Sequence, residues 1–277
     1  MRIARALVEG LPRIVVVEAD SARLAPHGTD DVLDAIEAAR AQFGEWPEID
    51  TTGLQLLAPV TTAGKIIAVG LNYADHTTET GFTPPEKPLT FAKYASSITG
   101  PGAVVTVPDH LTQQVDYEAE LAVLIGRTCG GSTPATLDDV AGYTVSNDIS
   151  ARDVQFSDVQ WTRAKSFDGF TPLGPWLVTP DEFGDPQQHR IFTTVNGETL
   201  QDDTTASMVF DVETLLAWIS DGTTLEAGDI ILTGTPAGAG GFRKPPRFLG
   251  HDDIVEVGVE GIGVLSNRIR FRSRENA

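Results

Sequence analysis

Residues 115–126, VDYEAELAVLIG, set two glutamates two positions apart in an otherwise apolar run. Side chains alternate along a strand, so Glu118, Glu120, Ala122 and Leu124 share one face, and Tyr117, Ala119, Leu121, Val123 and Ile125 share the other. At about 6 Å and an effective dielectric near 20, two carboxylates repel by roughly 3 kcal/mol. Two readings relieve that repulsion. Either the pair sits at the solvated end of the strand, or both converge on a divalent cation. An oxygen-only ligand set favours a hard ion, Mg2+ or Mn2+, over zinc. Asp148, at the end of the strand-like run GYTVSND, is a candidate third carboxylate; it equally suits an Asx turn or the N-cap of the following ISARDVQF. Three carboxylates on such an ion leave positions open for a bidentate ligand such as a 2-oxo acid.

GLNYADHTTETG holds His76 and Glu79 at i, i+3 spacing. On a helical turn these side chains meet, and a carboxylate that orients an imidazole makes a general base near neutral pH. The alternative is a surface histidine in a polar turn. Lys165, in RAKSFDGFTPLGP, is either a lysine reaching an oxyanion or an ordinary solvent-facing one. GDIILTGTPAGAGG is Gly-rich but lacks the Gly-Lys-Ser/Thr of a phosphate-binding loop, and the chain shows neither a dinucleotide fingerprint nor a Gly-x-Ser-x-Gly elbow.

Short strands separated by Gly and Pro must position these groups. RIVVVE, KIIAVGLNY, AVVTVP, EAELAVLIG, GYTVSND, FTTVNGE, DIILTG, DIVEVGVEG and IGVLSNRIRF read as strands, with Asn196-Gly197 as a type I′ hairpin turn. Helices are fewer. One carries Val32, Ile36, Ala39 and Phe43 on a face, capped by Thr29 or Asp30; another is DVETLLAWIS, capped by Asp211. Strands and helices do not alternate regularly, so the pattern predicts an α+β fold with a rolled, barrel-like sheet rather than a doubly wound one. Residues 1–62 read as a small N-terminal α/β appendage and 63–277 as the main body.

The formal net charge of −19 over 277 residues disfavours nucleic acid and anionic membrane surfaces as partners. A single cysteine, Cys129, excludes an intramolecular disulfide and fits a reducing compartment. With no apolar stretch of about 18 residues, the expectation is a soluble, cytoplasmic protein.

Taken in order, GLNYADH, FAK, DYEAELAVLIG, GYTVSNDISARDVQ, AKSFDGFTPLGPW, VNGE, QDDTTASMVF and GDIILTGTPAGAG resemble the fumarylacetoacetate hydrolase family over residues 66–269. The ending RKPPRFLGHDDIVEVGVEGIG is similar to small bacterial members. The resemblance implies a mixed β-roll or pseudo-barrel, a homodimer, a Mg2+ or Mn2+ site, and action on small 2-oxo or 1,3-diketo acids. It implies Glu118, Glu120 and Asp148 as metal ligands and His76, Glu79 and Lys165 as catalytic groups. It implies Arg152, Gln155, Thr235 and Lys93 as residues facing the substrate. The activity expected from it is C–C hydrolysis of an acylpyruvate-type substrate, with oxaloacetate decarboxylation as a companion reaction. Isomerisation or decarboxylation of hydroxymuconate-type diacids, and hydrolysis of a diketo sugar acid, are the alternatives.

Overall fold

The computed structural model describes residues 1–18, 21–83 and 85–273. In chain order its main elements are β1 (Arg2–Val8), β2 (Leu11–Val17), α1 (Val32–Gln42), β3 (Ile66–Gly70), α2 (Ala74–Thr80), β4 (Leu89–Lys93), β5 (Val104–Pro108), β6 (Ala119–Ile125) and β7 (Val140–Asn147). There follow α3 (Arg152–Asp158), α4 (Trp161–Ala164), β8 (Thr171–Val178), β9 (Arg190–Val195), β10 (Glu198–Thr204), α5 (Val212–Ser220), β11 (Ile230–Leu232), β12 (Ile254–Val259) and β13 (Gly263–Arg272).

One long mixed sheet runs β2-β1-β8-β7-β6-β11-β3-β4, extended beyond β2 by the short strands Ala22–Leu24 and Glu48–Ile49. A five-stranded sheet runs β10-β9-β12-β13-β5. Most pairs are antiparallel; β11 with β3 and β13 with β5 are parallel. The long sheet is open at both ends, so the α+β roll does not close into a barrel. The first strands join the same sheet through the β1–β8 pairing, Ile3 opposite Leu177. Gln55–Leu57 also joins this sheet by pairing with β1.

β6 lies in the interior with every residue buried. Its two faces serve two cores. Tyr117, Ala119, Leu121, Val123 and Ile125 pack with residues of the five-stranded sheet and of α5. Ala122 and Leu124 pack with Val32, Ala35, Ile36 and Ala39 of α1 on the other side. Period-two alternation in an all-apolar run therefore separates two hydrophobic layers, rather than core from solvent.

Asp31, not Thr29 or Asp30, caps α1. Its Oδ1 accepts from the backbone N–H groups of Leu33 and Asp34 at 2.7 and 3.0 Å. The helix starts one residue later than the cap candidates require, because Val32 has to enter the core as the first helical residue. Asp31→Ala should lower the unfolding free energy by about 1 kcal/mol, whereas Asp30→Ala should change it by less than about 0.5 kcal/mol, both measured by urea denaturation.

Candidate active site

The register of β6 against β7 builds the carboxylate cluster. Ala119 stands opposite Asn147 and Glu120 opposite Ser146. One step outward along the ladder, Glu118 and Asp148 face each other: the Asp148 N–H donates to Glu118 O at 2.9 Å, and the Glu118 N–H donates to Asn147 Oδ1 at 3.0 Å. Glu118, Glu120 and Asp148 each offer an oxygen within 4.8 Å of the others, and all three are buried. The reading of a solvated strand end is thereby excluded.

Two of the three carboxylates are paired with cations. Lys165, just after α4, donates to Glu118 Oε2 at 2.7 Å, Asp148 Oδ2 at 2.8 Å and Ser150 Oγ at 2.8 Å. Arg152, the first residue of α3, donates from Nη2 to Glu118 Oε1 at 2.5 Å and from Nη1 to Gln155 Oε1 at 2.8 Å. Lys93, at the end of β4, donates to Asp148 Oδ1 and, at 3.0 Å, to Phe170 O. Glu120 differs. It accepts the Gly234 N–H at 2.9 Å, and among the described residues no Lys, Arg or His pairs with it.

The electrostatics follow this split. Burial pushes the Glu118 carboxyl up, but Lys165 and then Arg152 override it and hold the group far below the ordinary carboxylate range. At Glu120, burial, then Asp148 and Glu118, all push the carboxyl well above that range. A divalent cation would replace the missing partner of Glu120, so the donor set, three buried carboxylate oxygens with one unpaired group, fits a hard metal ion. The two lysines diverge as well: burial dominates at Lys93 and lowers its pKa, whereas at Lys165 Asp148 and Glu118 outweigh burial and raise it.

His76 and Glu79 lie on α2. The strand β3 ends at Gly70, Leu71 takes a left-handed φ of +58°, and the chain turns into that helix. The turn is held by the Asn72 amide, which donates to Phe210 O and Thr233 O and accepts from the Phe210 N–H. His76 Nδ1 is 3.4 Å from Glu79 Oε2, and the Gly238 N–H donates to both Glu79 oxygens at 3.0 and 3.2 Å. Burial raises the Glu79 carboxyl, but His76 and the Gly238 N–H outweigh it and leave the group lowered. At 3.4 Å the pair is long for a hydrogen bond.

His76 and the three carboxylates line one cavity of about 100 Å³, whereas Glu79 is not among its lining residues and reaches it only through His76. Its floor carries Glu118, Glu120 and Asp148, with His76, Arg152, Gln155, Lys165 and Thr235 around them. Lys93 is not among the lining residues; it lies behind Asp148 and is almost wholly buried. Thr235 Oγ1 accepts from Gln201 Nε2 at 2.9 Å, and the Gln201 Oε1 accepts from the Ala119 N–H, which ties the Thr235 loop to the start of β6.

Sequence reasoning missed Asp116. It is wholly buried and accepts four hydrogen bonds: from Arg152 Nε at 2.7 Å and from the backbone N–H groups of Tyr117, Gly240 and Gly241 at 2.8, 2.6 and 2.8 Å. A Cβ on Gly240 would fall 1.9 Å from Arg247 O and 2.7 Å from Asp116 Oδ1, so the loop reaches the carboxylate only as glycine. The sequence signal was present, an aspartate inside an otherwise buried run, but its partner lies 36 positions away. Phe242, at the end of the same loop, was also missed; it covers Arg152 at 4.8 Å and meets His76 edge-on at 5.4 Å.

The family model described as "Fumarylacetoacetate (FAA) hydrolase C-terminal" matches residues 65–270. A mitochondrial oxaloacetate tautomerase of Homo sapiens is 46% identical over 236 residues, 84% of this chain and 74% of that protein. A fumarylacetoacetate hydrolase from psychrophilic Exiguobacterium antarcticum superposes with a TM-score of 0.88 at 42% identity, covering 98% of this chain and 100% of that one. A 5-carboxymethyl-2-hydroxymuconate delta-isomerase from Mycobacterium smegmatis superposes with a TM-score of 0.80 at 36% identity, covering 98% and 99%.

Two substitutions separate the roles of the buried acids. Asp116→Asn leaves Arg152 short of a charge partner in the interior and should cost about 3–5 kcal/mol in urea denaturation. Glu120→Gln removes a buried charge that no cation offsets. In chelator its melting temperature should equal or exceed that of the unmodified protein, while the rise that Mg2+ or Mn2+ gives the unmodified protein should be lost.

Proposed function

The chain belongs to the fumarylacetoacetate hydrolase family, and from that premise we propose that it is a Mg2+- or Mn2+-dependent enzyme that moves a proton at the carbon next to the ketone of a small 2-oxo acid. The observation that carries this reading is Glu120, a buried carboxylate without a cation partner beside Glu118 and Asp148 on the cavity floor. The names of the relatives, a tautomerase and an isomerase, support the reaction class. A hard divalent ion held by Glu118, Glu120 and Asp148 would supply Lewis-acid stabilisation of the negative charge that develops on the 2-oxo group.

The protein's own groups do the rest. The Lys165 ammonium, held between Glu118 and Asp148, places fixed positive charge where an enolate oxygen gains its negative charge. Arg152, Gln155 and Thr235 orient the substrate carboxylate from the cavity wall. His76, its Nδ1 turned to Glu79, keeps Nε2 as the site that holds the proton in transit between the enol oxygen and the neighbouring carbon. Phe242 covers Arg152 and His76 and excludes water from them.

Hydrolysis of an acylpyruvate is the second reading, favoured by the clamp of the Gly238 N–H on both oxygens of Glu79. A carboxylate fixed in that way orients an imidazole to take a proton from water. The water oxygen then bonds to the distal carbonyl carbon, the C–C bond breaks, and its electron pair passes to the 2-oxo half. That reaction yields pyruvate and a free carboxylic acid; proton transfer alone yields neither.

The experiment follows the ultraviolet absorbance of enol and diketo forms over a panel of 2-oxo and acylpyruvate acids, with pyruvate assayed in parallel. Enol–keto conversion should accelerate in Mg2+ and return to the uncatalysed rate in excess chelator. Turnover indifferent to chelator would rule out the metal role. Release of pyruvate from acylpyruvates without enol–keto catalysis would make hydrolysis the activity. His76→Ala should lower kcat by about 10²–10⁴-fold, and unchanged rates would remove His76 from proton transfer.

A further inference from the structure

Above its charged floor the cavity is walled by five aromatic side chains, Phe82, Phe91, Phe156, Trp161 and Phe242. They form two edge-to-face pairs, each backing one of the two strong cations of the lining. Phe91 and Trp161 meet at 5.4 Å, with Lys165 5.3 Å from the Phe91 ring. Phe156 and Phe242 meet at 6.4 Å, with Arg152 4.8 Å from the Phe242 ring. Room for Trp161 is made by Gly70, where a Cβ would lie 2.6 Å from the indole. Phe82 and Phe156 stand at the mouth, 51% and 61% exposed.

Positive charge is confined to the floor. Among the described residues Arg152 and Lys165 are the only Lys or Arg in the lining, and both are already committed, to Asp116, Glu118 and Asp148. Counting Lys93, three cations face four carboxylates, Asp116, Glu118, Glu120 and Asp148. A second carboxylate at the far end of a substrate would enter an aromatic chamber with no cation to meet it, and an unpaired charge out of water is costly.

We propose that, among 2-oxo acids, this site selects those whose end remote from the 2-oxo carboxylate is uncharged and apolar, an aryl or branched alkyl group held between Phe82, Phe91, Phe156, Trp161 and Phe242. The inference rests on the reading that the floor takes the 2-oxo acid group, and it adds what the upper chamber requires. The distal group lies against rings, and its burial supplies affinity that the shared headgroup does not.

The test uses the Mg2+-loaded protein and two pairs of probes. Calorimetry compares benzoylformate, which has no enolisable hydrogen, with pyruvate, the headgroup alone. Enol–keto kinetics compare phenylpyruvate with oxaloacetate. Benzoylformate should bind about tenfold or more tighter than pyruvate, and phenylpyruvate should exceed oxaloacetate by a similar factor in kcat/KM. Phe156→Ala and Phe82→Ala should each cut the advantage of benzoylformate over pyruvate by about threefold or more. Phe82→Arg should shift kcat/KM toward oxaloacetate. A benzoylformate advantage below about tenfold, or a preference for oxaloacetate, overturns the proposal while leaving the 2-oxo acid reading intact. If neither pyruvate nor benzoylformate binds and no 2-oxo acid is turned over, the reading of the floor itself fails, and the proposal with it.

Discussion

Three carboxylates held within 4.8 Å of one another, away from water, are the constraint around which this molecule is organised. Like charges at that spacing in a poorly polarisable interior repel strongly, and each has also lost its hydration. The fold answers with Lys165 between Glu118 and Asp148, Lys93 behind Asp148 and Arg152 against Glu118. It leaves Glu120 without such an answer. That unpaired group is the feature on which the proposed metal site rests, because natural interiors seldom retain an uncompensated carboxylate.

Holding this cluster takes several separate elements from residues 93–165. Glu118 and Glu120 come from β6, Asp148 from the end of β7, Lys93 from β4, Arg152 from α3 and Lys165 from the residue after α4. Their alignment depends on one ladder register, Ala119 opposite Asn147; a slip by one residue would turn Glu118 and Glu120 into the core that holds Leu121 and Val123. The same strand separates two hydrophobic layers, so the register is fixed by packing on both faces at once. A rigid, doubly buried strand suits a site in which small shifts of charged groups carry large energies.

Asp116 extends the cluster into the loop that closes the cavity. Its carboxylate grips Arg152 on one side and the Gly240 and Gly241 amides on the other, so the arginine and the loop bearing Phe242 are tied to the same group. Gly238, in the same loop, holds Glu79 and through it His76. His76, Glu79 and Arg152 therefore share one support, although they lie on separate helices.

Much of the site was legible in the order of the residues. Two glutamates at i, i+2 in an apolar run, an aspartate closing a second strand, and His76-x-x-Glu79 after a buried strand are local patterns, and strand alternation or a helical turn suffices to read them. The α+β character was legible for the same reason, since period two and Gly/Pro punctuation are properties of short windows. Tertiary structure alone decided that the pair is buried rather than solvated, that Asp31 rather than its neighbours caps α1, that Lys93 stands behind Asp148 rather than at the cavity wall, and that Asp116 joins Arg152 to the glycine loop. The Asp31 cap closes on Leu33 and Asp34 and is set by how Val32 enters the core; the others depend on partners tens of residues apart in sequence. Charge pairing and burial act through space, and a sequence shows which side chains are available but not which of them the folded chain brings together.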